Sequence, residues 1–87
     1  MIQPNAWPAW WEWDLAFSAH FVRRMQLRHL SESDLREMLE DASGLEADAV
    51  FGRWKIAARW QGEPWEIILE PDEVRRRLVV VTGYRVE

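Results

Sequence analysis

Eighty-seven residues, a net charge of −4 and no cysteine exclude disulfides, thiolate nucleophiles and cysteine-ligated zinc at once. A chain of this length forms one domain, residues 1–87, and buries about 60–65% of the surface its unfolded form exposes, which leaves a modest margin of stability. The acidic total argues against broad, non-specific binding to nucleic acid. No apolar run reaches the ~18 residues of a membrane span and no signal-peptide pattern opens the chain, so a cytoplasmic location is expected.

Residues 1–10 contain Pro4, Asn5 and Pro8, which suit an extended arm. The chain holds seven tryptophans, and Trp7, Trp10, Trp11 and Trp13 lie at its start. Clustered indoles of this kind pack on a sheet, dock a protein partner or stack on bases. From Trp11 to Phe17 apolar residues alternate with mostly polar ones, the period of a half-buried strand, with a helix over 9–17 as the competing reading. Ser18 is a good N-cap for a first helix over 19–28.

That helix carries His20, Arg24 and Arg28 at spacings of four. Each such step turns about 40°, so the three groups share one face and span an arc of about 80°. The stripe is either an anion-holding arrangement or an ordinary solvated face. His29 stands where the helix must end, and histidine is among the residues that tolerate a left-handed backbone. Ser31-Glu-Ser-Asp34 resembles a capping box for a second helix, with Leu30 and Leu35 able to form its hydrophobic staple. Leu35, Met38, Leu39 and Ala42 give that helix a core face, and Gly44 reads as the residue that closes it. Its outer face is acidic, within a stretch over 31–48 that carries acids from Glu32 to Asp48 against one base, Arg36.

Beyond Ala49 the period changes to two. Trp54, Ile56, Ala58 and Trp60 face one way, while Arg53, Lys55, Ala57 and Arg59 face the other. Gln61 to Pro64 is a turn signal, and Trp65, Ile67 and Leu69 form the inward set of the next strand. Glu66 and Glu70 point outward, where Arg59 or Lys55 can meet them across the strand pair. Pro71 to Glu73 turns again, and residues 77–86 make a last strand. Its run Leu78-Val-Val-Val81 suits a central strand covered on one side by helices. The expected architecture is α+β, with two helices on one face of an antiparallel sheet in the order β-α-α-β-β-β.

The run His20-x-x-x-Arg24-Met25-x-x-Arg28-x-Leu30-Ser31, followed by a last strand ending Thr82-Gly-Tyr84, resembles a branch of the RelE/ParE-like toxin superfamily. That branch carries a His-x-x-x-Arg-Met-x-x-Arg-Gly-Ile-Ser signature, and its glycine is His29 here. The resemblance covers residues 15–86 and implies a RelE-like fold, no metal and no cofactor. It also implies a toxin-like endoribonuclease whose partners are RNA and a neutralising antitoxin. The site residues it implies are His20, Arg24, Arg28, Thr82 and Tyr84.

Cleavage of RNA without a metal requires a base, cations for the phosphorane and a proton for the leaving oxygen. His20 is the expected base, Arg24 and Arg28 the forked phosphate ligands, and Tyr84 the group that orients the phosphate or stacks on a base. Thr82, Arg53 and Arg85 are expected to hold the RNA backbone. The rival reading, favoured by the charge pattern, is a non-catalytic protein-interaction module that uses the tryptophan-rich arm and the acidic helix.

Overall fold

The computed structural model describes residues 8–86. Most of the arm expected at 1–10, Trp7 included, lies outside these residues. Ala9–Glu12 forms a short 3-10 turn, held by the Trp11 N–H donating to the Pro8 carbonyl at 3.0 Å. The elements that follow are β1 (Asp14–Phe17), α1 (Ala19–Arg28), α2 (Glu32–Glu40), β2 (Gly44–Ala47), β3 (Trp54–Trp60), β4 (Glu63–Asp72) and β5 (Arg77–Arg85).

The helix boundaries follow from side-chain chemistry. The Ser18 hydroxyl accepts from the Phe21 N–H at 3.0 Å and starts α1. His29 ends it at φ 56°, ψ 39°, a left-handed residue whose N–H donates to Gln26. The Leu30 N–H then reaches back to the Met25 carbonyl at 2.9 Å, so the last turn leaves few orphaned carbonyls. The capping box of α2 is complete: the Asp34 N–H donates to Ser31 Oγ at 3.0 Å, and the Ser31 N–H to Asp34 Oδ2 at 2.9 Å.

The sheet departs from expectation in two ways. Among the described residues it has five strands in the order β1-β5-β4-β3-β2, and β1 pairs with β5 in parallel. The expected antiparallel, RelE-like β-α-α-β-β-β arrangement is therefore corrected to a mixed sheet with an added strand after the helices. The added strand is β2. Gly44 does not close α2, which already ends at Glu40 with Asp41 as its C-cap. Gly44 instead sits opposite Ala57 in the β2–β3 ladder, where a Cβ would meet the Ala57 methyl at 3.5 Å. The first strand is also shorter than expected, because Trp11 belongs to the 3-10 turn.

Both helices cover one sheet face. The core beneath them unites Phe21 of α1 and Leu35, Met38 and Leu39 of α2 with Ile56, Ile67, Leu69, Leu78 and Val80 of the strands. Full burial of each such side chain stabilises the fold by about 1.5–3 kcal/mol. Trp10, Trp11 and Trp13 pack partly buried against this core. The hairpin between β3 and β4 turns on Gln61 and Gly62 at φ 53° and 78°, the positive pair a two-residue loop of type I′ requires. No helix among the described residues is long and apolar enough to cross a membrane.

Candidate functional site

Strand β5 decides which predicted residues can meet. Ile68 stands opposite Thr82 and Leu69 opposite Val80, so Val81 is an extra residue in a β-bulge. Its carbonyl accepts from the Ser18 hydroxyl at 2.6 Å, and the neighbouring Val80 carbonyl from the Ser18 N–H at 3.1 Å. One serine thereby caps α1 and ties the helix start to the middle of the sheet. Past the bulge, Gly83 faces the helices. A Cβ there would lie 2.8 Å from Ile67 Cδ1 and 3.1 Å from the Phe21 ring. Alternation sends Thr82 and Tyr84 to the opposite face.

Tyr84 confirms this placement by its partner. Its hydroxyl donates to Glu66 Oε1 at 2.7 Å, across the ladder position the two residues share. That hydrogen bond first, then burial and the nearby carboxylates, hold the phenol above its ordinary value of 10.0. A phenol bound to a carboxylate in this way is a poorer proton donor at neutral pH.

His20 and Arg28 are exposed and Arg24 is half-buried on α1, over the covered face. The Arg28 guanidinium stacks above the Trp65 ring at 5.8 Å, a cation–π contact on a residue of that same face. Arg24 Nε is buried with no hydrogen-bond partner among the described residues. The sheet thus brings His20, Arg24 and Arg28 onto one helix and leaves Tyr84 and Thr82 on the far side of it. The expected juxtaposition of imidazole, guanidiniums and phenol in one pocket is not formed. Arg53 and Arg85 are engaged elsewhere, Arg53 Nε with Glu70 at 2.9 Å and Arg85 Nη1 with Glu63 at 3.7 Å. Glu70 is therefore met by Arg53, and Glu66 by Tyr84, in place of the expected Arg59 or Lys55; Lys55 pairs with Glu46 at 3.6 Å. Among the described residues no three His, Asp or Glu side chains gather as a metal site.

A different feature stands out at the end of the sheet where the β2–β3 loop, the β4–β5 turn and the 3-10 turn come together. A cleft of about 830 Å³ opens there, with Trp10, Trp54 and Phe51 among its walls. The Trp10 and Trp54 rings meet at 5.8 Å, tilted by 46°. Four carboxylates, Asp48, Glu70, Asp72 and Glu73, line it against one guanidinium, Arg53. Phe51 is wholly exposed, at 102% of its reference area.

Local backbone chemistry explains that exposure. The Arg53 N–H closes a turn on the Val50 carbonyl at 3.1 Å, with Gly52 at φ 87° in its third position. The Asp48 carboxylate accepts from the Val50 N–H at 3.2 Å and fixes the approach to the turn. Phe51 occupies the outward second position, and Val50 and Val74 are also exposed on loops at this end. Sequence reading passed over Phe51 and Trp54 as site residues. The signal available was an apolar pair, Val50-Phe51, placed directly before a turn glycine, where polar residues are the norm.

Comparison with protein-family models, with characterised proteins and with solved structures finds no match to this chain. The resemblance to RelE/ParE-like toxins accordingly rests on the sequence run alone.

Proposed function

We propose that this chain is a non-catalytic protein-interaction module, and that its cleft takes a basic, apolar-bearing segment of a protein partner. The observation that carries the reading is Phe51, a fully exposed phenylalanine set on a hydrogen-bonded turn at the mouth of an aromatic, carboxylate-rich cleft. Exposed aromatic side chains beside a concave surface are typical anchors of interfaces, and keeping one in water disfavours the free state. The carboxylates favour cationic partners and set the approach electrostatically. The separation of Tyr84 from His20, Arg24 and Arg28 supports a binding role over a catalytic one.

Titration with short peptides tests the reading through tryptophan emission, to which Trp10 and Trp54 of the cleft contribute among the chain's seven indoles. Peptides that alternate lysine with leucine are expected to shift the emission and saturate, with affinity falling as salt rises. Acidic peptides of the same apolar content are expected to do nothing. Phe51→Ala should weaken binding by about 1–3 kcal/mol, the range of an interface anchor. Equal response to acidic and basic peptides, or none to either, rejects the proposal.

The endoribonuclease reading keeps one support, the guanidiniums of Arg24 and Arg28, which carry no ion pair among the described residues. Growth arrest on expression that His20→Ala or Arg24→Ala abolishes, with RNA cleaved by purified protein in chelator, would restore it.

A further inference from the structure

The outer side of α1 has a property that the cleft reading does not use. His20, Arg23, Arg24 and Leu27 follow the spacing i, i+3, i+4, i+7, so they form one helix face. A face at this spacing packs against a core when it is apolar; here three positions are basic, with Arg24 half-buried, and the one apolar position, Leu27, is 81% exposed. His20 and Arg23 are exposed beside it, and none of the three basic groups has an ion pair among the described residues. The face is an apolar anchor ringed by cations. None of its residues lines the cleft at the sheet end, so α1 does not cover that cleft in its own chain.

The cleft offers the reverse pattern. Its aromatic wall includes the wholly exposed Phe51, and its Asp48 and Glu73 have no ion-pair partner among the described residues. Each surface sets an exposed apolar group beside charge of the sign opposite to the other's. We propose that the α1 face of one copy docks in the cleft of a second copy, head to tail. This inference rests on the cleft reading above and names the occupant as this chain itself. The two patches differ, so the contact is heterologous. Each copy is left with one free cleft and one free helix, and association extends as concentration rises. One helix face on one cleft is smaller than a standard interface of about 800 Å² per partner, so the contact is weak and reversible.

Sedimentation velocity on the full chain tests the proposal with two surface variants, Leu27→Asp and Phe51→Asp. Both positions are exposed, so neither substitution touches the core, and circular dichroism checks that the fold is kept. The weight-average mass of the wild type is expected to climb with concentration at low salt. In 1 M salt, where the screening length falls to ~3 Å, it should return to that of one chain. Each variant alone should remain a single chain. An equimolar mixture of the two retains one sound helix face and one sound cleft, and is expected to form a species of twice the mass and nothing larger.

A wild type that stays a single chain at every concentration overturns the proposal, as does a mixture that fails to pair. Self-association that survives both substitutions overturns it too. The lysine–leucine peptide separates the two levels of inference. If it binds a wild type that never self-associates, the cleft reading stands and the self-docking falls. If it does not bind, both fall.

Discussion

Cations on the two sides of the sheet meet opposite fates. On the face under the helices, Ile56, Ile67, Leu69, Leu78 and Val80 are sealed from water. The cations of the helix above them, on α1, lack carboxylate partners among the described residues. On the other face the strand cations meet acids, Arg53 with Glu70 and Lys55 with Glu46, while Tyr84 is bound to Glu66. An arginine four residues from another on a helix and an arginine on a strand look alike in sequence. Whether either is free to bind a ligand is decided by what stands across the ladder or the turn. Pairing engages Arg53 and Lys55 and, among the described residues, spares the cations of α1.

The largest test of this contrast removes apolar volume. Ile67→Ala should cost about 2–5 kcal/mol in chemical denaturation, a large part of the stability of so small a domain. Gly83→Ala ranks next, since its methyl must displace Ile67 and Phe21 from contacts of 2.8 and 3.1 Å. Overpacking of this kind costs about 1–3 kcal/mol. If Gly83→Ala proves neutral, Gly83 does not pack against α1 and Tyr84 loses its assignment to the far face.

Ser18→Ala should lose about 1 kcal/mol, as expected for an N-cap. The loss should grow if the tie to the Val81 carbonyl adds to the cap, because a half-buried acceptor is then left without its donor. Breaking the Arg53–Glu70 pair by Glu70→Gln should cost less, about 0.2–1 kcal/mol, and the difference should shrink in salt.

The smallest effect is a titration. Tyr84 is the one tyrosine in the chain, so ultraviolet absorbance of the phenolate reports it alone. Its midpoint should lie above 10.0 in the folded protein and move down in Glu66→Gln. The sign follows from linkage. A phenol raised by folding adds stability below its unfolded value, and that stability is lost as pH climbs through the folded one. A midpoint at or below 10.0 would break the Tyr84–Glu66 pairing.

Much of the fold was legible because its signals are local. The Ser18 cap, the Ser31–Asp34 box, the left-handed His29 and the inward set of Ile56, Ile67 and Leu69 all depend on neighbours within a few residues. What escaped is non-local or masked. Gly44 carries a helix-stop signal that hid the brief alternation of Leu45 and Glu46, and β2 is only four residues long. The parallel seating of β1 beside β5 depends on a partner 63 residues further along the chain, as the pairs Asp14–Arg77 and Leu15–Leu78 show. The bulge at Val81 had no sequence marker, yet it sets how Thr82 and Tyr84 are presented. The cleft was equally illegible, since it is assembled from the 3-10 turn, two connecting segments and residues of four strands, and not from any one element.

The position of β5 bears on how the chain assembles. It is the last strand in chain order and the one that joins β1 to the rest of the sheet. The hairpins from Gly44 to Asp72 can zip up locally, whereas Asp14–Phe17 has no neighbour to pair with until Arg77–Arg85 is inserted between the two parts. Closing so long a loop late makes for slow folding. In the interval, α1 lacks the Ser18 ties to Val80 and Val81 that seat its start on the sheet, which lengthens its exposure to a chaperone or a protease.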